Sequence, residues 1–246
     1  MVKTLTKGKT VTRWIEIGFD LSYLAVIWGL ILAMRRRRSA VAPADLRVAD
    51  RLHEAFSLLA VGDTAHVGFR VLAAVRGERR AFVTWLGQRL SLLGLGELLT
   101  SITVTFFYTL TLDAWRLRFR RGFGWFGDLL LAAAGVRLAL LAFPLNQWEE
   151  AEPPQPWSIY RNVPLLAQGL GLVYLILRDA RAAGDRTFRW IGQTILVSYA
   201  FYTPVILFAR RVPQLGMLMI PKTLAYLAMA VGVYRDLYRR PEHEAE

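Results

Sequence analysis

The chain has 246 residues, of which 54% are hydrophobic and 20% charged, and its formal net charge is +12. With no cysteine it can form no disulfide and use no thiolate, and with three histidines it has too few for a histidine-rich zinc site. The basic residues gather at the ends of long apolar runs, which is a membrane pattern and argues against a nucleic-acid partner.

Seven runs approach the ~20 residues needed to cross about 30 Å of hydrocarbon. They are Trp14–Met34, Ala55–Val75, Leu92–Ala114, Gly127–Phe143, Ile159–Leu177, Ile191–Ala209 and Met217–Val233. The first holds Glu16 and Asp20 one turn apart, with Tyr23 below, and ends in Arg35–Arg38. That length and arginine stop mark a retained helix and not a cleaved signal peptide. The second holds Asp63, His66 and Arg70, whose spacing of three and then four sets them on one helical face. Glu97, Ser101 and Tyr108 share a face of the third, and the fourth runs through Arg137 to Pro144 and Asn146. The fifth begins with Tyr160, Arg161 and Asn162 and carries Gln168. Its Ala167, Gly169 and Gly171 form a small-residue face that fits either internal packing or a dimer. Thr194, Ser198 and Tyr202 recur every four residues in the sixth, followed by Pro204. The seventh has Lys222 beside Thr223, one turn before Tyr226 and directly after Pro221.

These runs consume most of the chain. The expected fold is all-α: a polytopic membrane protein in which residues 1–246 form one domain, a single bundle of seven transmembrane helices.

Basic residues are densest after the first, third and fifth runs and in the tail, whereas the connection Trp148–Trp157 carries Glu149, Glu150 and Glu152 and no cation. This bias orients the N-terminus outside and the C-terminus in the cytoplasm. Lys3, Lys7, Lys9 and Arg13 oppose that sense, but the arginines directly after the first run lie closer to the membrane.

With that orientation Asp20, Asp63, His66, Arg70, Glu97, Asn146, Arg161, Tyr202 and Lys222 all fall in the outer half of the bundle. The inner half offers mainly Asp113 and Gln193. Ionisable groups at membrane depth are costly and face a bundle interior or a hydrated cavity. Their segregation therefore predicts an outward-facing intramembrane pocket. Any one of these charges is equally served by a structural pair, Glu97 with Lys222 or Asp63 with Arg70. Arg161 and Asn146 also fit snorkelling at a helix end. Pro144, Pro164, Pro204 and Pro221 lie at one level near the outer helix ends. They suit an irregular chamber mouth, although helix initiation accounts equally for Pro164 and Pro221.

The strings GDTAH (Gly62–His66), TSITVTFFY (Thr100–Tyr108), FPLNQW (Phe143–Trp148), WSIYRN (Trp157–Asn162), FYTPV (Phe201–Val205) and GMLMIPKT (Gly216–Thr223) run from the second to the seventh helix. Together they resemble those of an uncharacterised family of bacterial seven-helix membrane proteins. The resemblance implies a multi-pass protein of the bacterial plasma membrane and brings no activity with it.

The residues favour a pocket that binds a small polar or amphipathic ligand, as a sensor or carrier does. Its expected ligand contacts are Asp20, Arg70, Glu97, Asn146, Arg161, Tyr202, Lys222 and Tyr226. Short loops mean that a sensor would signal through a separate partner. The alternative is a metal-free hydrolase or transferase acting on a membrane lipid, with Asp63 orienting His66 as general base toward Ser101. A proton pathway through Asp63, His66 and Glu97 meets a sparse inner half. A retinal Schiff base has Lys222 available, with Asp63 or Glu97 as counter-ion. Yet that lysine follows Pro221 only about a turn inside the outer surface, and the residue pattern of microbial rhodopsins around it is absent. No cofactor and no metal are therefore expected.

Overall fold

The computed structural model describes residues 2–76, 81–85, 87–150 and 154–239, with the backbone alone for 2–16, 85 and 88. Glu16 and the basic side chains of Lys3, Lys7, Lys9 and Arg13 lie outside that description. Among the described residues seven helical segments are long and apolar enough to span a membrane, the fifth counted from Trp157 and the seventh as Pro213–Tyr238, and each is built on one main helix. These main helices are α1 (Val2–Arg36), α2 (Leu46–Arg76), α3 (Leu92–Phe119), α4 (Gly124–Leu141), α5 (Val163–Ala182), α6 (Arg186–Phe208) and α7 (Met219–Val233). Neighbours in sequence pack side by side, and α7 returns to α1 to close a ring, with α3 reaching inward to α5. Large apolar side chains such as Leu21, Val26, Val61, Leu129, Val136 and Leu196 point away from the bundle. Such a surface is costly in water and ordinary in lipid.

Two glycines set the closest helix pair. A Cβ at Gly62 would lie 3.1 Å from Thr100 Cα, and one at Gly96 would lie 3.1 Å from His66 Cα. Hence α2 and α3 meet backbone to backbone at the level of Asp63 and His66. Below them Phe56, Phe107, Tyr108 and Trp115 fill the core, with Phe107 edge-on to both Tyr108 and Tyr226.

The small-residue face of α5 is used internally. A Cβ at Gly169 would fall 2.0 Å from the Tyr199 hydroxyl, and one at Gly171 would fall 2.5 Å from a Leu130 methyl. These two glycines admit α6 and α4 and serve internal packing, whereas Ala167 of the same stretch is exposed.

An antiparallel hairpin between α2 and α3 was not expected. Strand β1 (Phe82–Trp85) pairs with β2 (Gln88–Ser91), Phe82 opposite Ser91, through a tight turn with Gly87 at φ 76°. A left-handed φ of this kind favours glycine. Ser91 ends the strand and caps α3, its Oγ accepting from Gly94 N at 2.8 Å and donating to Glu150 O at 3.0 Å.

Other boundaries moved where caps or prolines dictate. The fourth helix stops at Leu141, and Pro144–Asn146 form a separate 3₁₀ turn held by Asn146 Nδ2 on the Leu140 and Phe143 carbonyls at 2.7 and 2.9 Å. The seventh starts at Met219 after a 3₁₀ segment, Pro213–Leu218. Pro164 lies in the first turn of α5, as initiation requires, whereas Pro204 is inside α6.

The end opposite the hairpin is locked by arginine–aspartate pairs. Arg118 at the end of α3 binds both Asp45, before α2, and Asp185. Asp185 also caps α6 by accepting from Phe188 N at 2.9 Å. Asp113, one of the few polar residues expected at this end, is held by Arg51 and Arg116 at 2.9 and 2.6 Å. Replacing Arg118 by methionine leaves two half-buried carboxylates without their shared cation, and the expected cost is about 2 kcal/mol. A thermal unfolding scan in detergent checks this, with Arg118→Lys recovering only part because lysine cannot fork between two acids.

Candidate ligand cavity

A cavity of about 690 Å³ opens at the hairpin end, between α1, α2, α3, α6 and α7, with α4 and α5 behind. That is the size of a small-molecule pocket, roughly 300–1,000 Å³. Asp20, Asp63, His66, Arg70, Glu97 and Ser101 line one side, and Tyr202, Lys222 and Tyr226 the other. These nine expected site residues come from α1, α2, α3, α6 and α7. The bundle thus gathers side chains that lie up to some two hundred positions apart in the chain.

On the α1–α2–α3 side the acids are engaged. Asp63 accepts from the Tyr23 hydroxyl at 2.7 Å and from Thr100 Oγ1 at 3.4 Å, so hydroxyls of α1 and α3 converge on α2. Asp20 accepts from Arg70 Nη1 at 2.9 Å. The expected pair of Asp63 with Arg70 is therefore replaced by Arg70 with Asp20, because Tyr23 reaches Asp63 first. Nδ1 of His66 is buried and has no hydrogen-bond partner among the described residues. No hydrogen bond among them joins Asp63 to His66, or His66 to Ser101.

Arg161 and Asn146 do not line the cavity, contrary to their expected role as ligand contacts. Arg161 is 1% exposed and lies behind the wall, paired with Glu97. It also donates to Asn146 Oδ1 at 3.2 Å and stacks over the Trp148 ring at 4.4 Å. Its partners are satisfied within the protein, so it positions Glu97 and does not snorkel. The expected pairing of Glu97 with Lys222 fails for the same reason: a guanidinium from the start of α5 reaches Glu97 from behind.

Arg137 belongs to the cavity wall although it was not among the expected contacts. It is buried on α4 and donates to Arg161 O at 3.2 Å, Thr105 Oγ1 at 2.9 Å and Asn162 Oδ1 at 3.4 Å. None of these acceptors is charged. The available signal was an arginine in the middle of an apolar run, the same criterion that marked Asp63. Asn162, Tyr199 and Ser198 also line the wall and were not assigned there.

Lys222 stands in the first turn of α7 with its Nζ 4.5 Å from the Tyr202 ring centroid and 5.7 Å from that of Tyr226. Among the described residues it makes no ion pair, and Asp63 is the carboxylate whose charge acts on it. Below it the Tyr226 and Tyr108 hydroxyls share a hydrogen bond of 2.5 Å, and Tyr199 donates to Leu165 O at 2.8 Å. Above it the wall changes character: Val205 and Ile206 of α6 and Met219 and Ile220 of α7 are apolar. The chamber therefore has one charged wall, one apolar wall, and a floor of tyrosine hydroxyls.

No protein-family model and no curated protein matches the chain. Among solved structures, the crystal structure of thermophilic rhodopsin is similar to it, with 19% sequence identity, a TM-score of 0.50, and coverage of 90% of this chain and 92% of that one. At that identity the likeness concerns the fold alone and carries no chromophore with it. The chain is an integral membrane protein with a rhodopsin-like bundle of seven helices, in contact with lipid.

Proposed function

We propose that the chain, as a single seven-helix domain, binds a small polar or amphipathic ligand in the cavity at the hairpin end. The observation that carries this reading is Lys222, a cation that makes no ion pair among the described residues and faces a cavity of about 690 Å³, while Asp63, the carboxylate whose charge acts on it, is held by Tyr23 and Thr100. An ammonium at membrane depth without a direct counter-ion contact is costly, and a bound ligand group offsets that cost. The arginine bias orients the cavity to the outside and the C-terminus to the cytoplasm, in a bacterial plasma membrane. The motif strings support membership in the uncharacterised bacterial seven-helix family. A sensor built on this frame would signal through a separate partner.

One observation favours the lipid hydrolase or transferase reading: the buried Nδ1 of His66 has no hydrogen-bond partner among the described residues, as an unengaged general base requires. Against it, Asp63 is engaged by Tyr23 and Thr100, and among the described residues no hydrogen bond joins Ser101 to His66. A native mass spectrum of wild-type protein beside Lys222→Ala tests the binding reading. An adduct in the first that is lost in the second is expected. Asp63→Asn and His66→Gln separate the two readings. They shift ligand affinity alone in a binding protein, and they abolish turnover of extracted lipids while binding persists in an enzyme. Variants that bind like wild type, with no turnover in any, would overturn both.

A further inference from the structure

Resting on that reading, we infer that the ligand is a single-chain amphiphile with one net negative charge, held head-inward with its chain against the apolar α6–α7 wall. Two independent features of the cavity point there.

The first is charge balance. Among the described residues, Arg70, Arg137, Arg161 and Lys222 stand in or directly behind the wall, facing the carboxylates Asp20, Asp63 and Glu97. Arg70 is matched to Asp20 and Arg161 to Glu97. Among the described residues that leaves Asp63 alone for Arg137 and Lys222, and it acts on Lys222 without an ion pair, so there the cations outnumber the carboxylates by one. Arg210 adds a further cation at the rim, where it is exposed to solvent and screened. A neutral ligand leaves the inner excess uncompensated in a low-dielectric site, and a cationic one increases it. One anionic group beside Lys222 closes the balance. Ser198 and Thr223, which line the same cavity, carry hydroxyls that can donate to such a group.

The second feature is the polarity gradient along α6 and α7. Moving outward along α6, Ser198 and Tyr202 give way to Val205, Ile206 and Ala209. On α7 the outward order is Tyr226, Lys222, Ile220 and Met219, with Met217 beyond at 63% exposure. The opposite wall carries the Asp20–Arg70 pair. A wholly polar solute leaves the aliphatic wall unmatched, and a wholly apolar one leaves Lys222 unmatched. An alkyl chain with an acidic head satisfies both, its methylenes running from Lys222 toward the exposed end at Met217. Long-chain carboxylates and monoanionic lysophospholipids both have this chemistry.

The test uses the full chain in phosphatidylcholine nanodiscs with a hexadecanoic acid bearing a diazirine near its methyl end. Photolabelling is expected on peptides containing Val205–Ala209 or Met217–Ile220. Competition by amphiphiles of the same chain isolates the head, because the chain's transfer from the bilayer cancels. Hexadecanoate is expected to displace the label at least tenfold more effectively than hexadecanol or hexadecyltrimethylammonium. Lys222→Gln is expected to remove that preference while the unfolding midpoint stays within a few degrees of wild type. If that variant unfolds, Ile220→Trp replaces it, expected to block the label without touching a charge. A lysophosphatidylglycerol competitor stronger than hexadecanoate assigns the head to a lipid, and the reverse order assigns it to a free acid. Labelling confined to lipid-facing residues such as Leu129 and Val136, or equal competition by all three heads, overturns the inference. If glutamate competes instead of the amphiphiles, a pocket for polar ligands survives and the amphiphile falls. If a Lys222-dependent adduct is also missing, both fall.

Discussion

Arg161→Met is expected to be the most damaging single substitution, lowering the thermal unfolding midpoint by roughly 10 °C. Arg161 is 1% exposed, and its guanidinium serves Glu97, Asn146 and the Trp148 ring together. Removing one partner of a buried ion pair costs about 3–5 kcal/mol, because the remaining charge keeps its desolvation without its counter-ion. In a chain of this length each kcal/mol is worth about 2–4 °C. Here the stranded group is Glu97, which stands at the cavity and retains some access to water, so the cost belongs to the lower part of that range. The double variant Arg161→Met with Glu97→Gln is expected to recover more than half of the loss, since no carboxylate is then left unpaired. Full recovery is not expected, because the contacts to Asn146 and Trp148 remain absent. Simple additivity in this double-mutant cycle would mean that the two residues do not act as a pair.

Gly169→Ala is the second large effect, about 3 kcal/mol, and it arises from sterics. The new methyl would stand within 2.2 Å of three atoms at the hydroxyl end of the Tyr199 ring. That ring is 2% exposed, packs against Tyr108 and is fixed by its bond to Leu165 O. It has nowhere to swing, so the helices separate or the ring leaves its site. Overpacking of a dense core costs about 1–3 kcal/mol, and the lost hydrogen bond adds about 1. Gly171→Ala provides the contrast. Its obstacle is the tip of Leu130, which can rotate, and its cost is expected to stay below about 1 kcal/mol. Unfolding scans of the two variants, with Tyr199→Leu added to Gly169→Ala, decide the matter. If ring and methyl compete for one space, the double variant is no less stable than Tyr199→Leu alone.

Both predictions concern residues whose presence was legible in the sequence and whose role was not. Arg161 was marked as a ligand contact, and Gly169 as one part of a face with two possible uses. The seven helices themselves were readable because a bilayer imposes a one-dimensional rule: each span needs a fixed length of apolar residues, whatever its neighbours are. The same rule made Asp63, His66, Arg70 and Lys222 conspicuous, since any ionisable group at that depth must have an interior to face. Even the level of the chamber followed, because helix direction alternates and depth is additive along a helix. The hairpin Phe82–Ser91 was missed for the complementary reason. Outside the hydrocarbon no such length rule operates, and two strands of four residues leave little pattern to read.

Partner choice was beyond that reach. Whether Arg70 meets Asp63 or Asp20, and whether Glu97 meets Lys222 or Arg161, depends on the rotation of each helix and on distances of a few ångströms between separate helices. Those are fixed by packing: by Gly62 and Gly96 drawing α2 onto α3, and by Gly169 and Gly171 admitting α6 and α4 to α5. The sequence by itself determined that charges must be sheltered together near one end of a seven-helix membrane bundle, because hydrocarbon cannot hold them. Only the tertiary structure decided which of them neutralise each other and which, Lys222 foremost, are left facing the cavity, because charge pairing falls off over distances that a periodicity of 3.6 residues does not resolve.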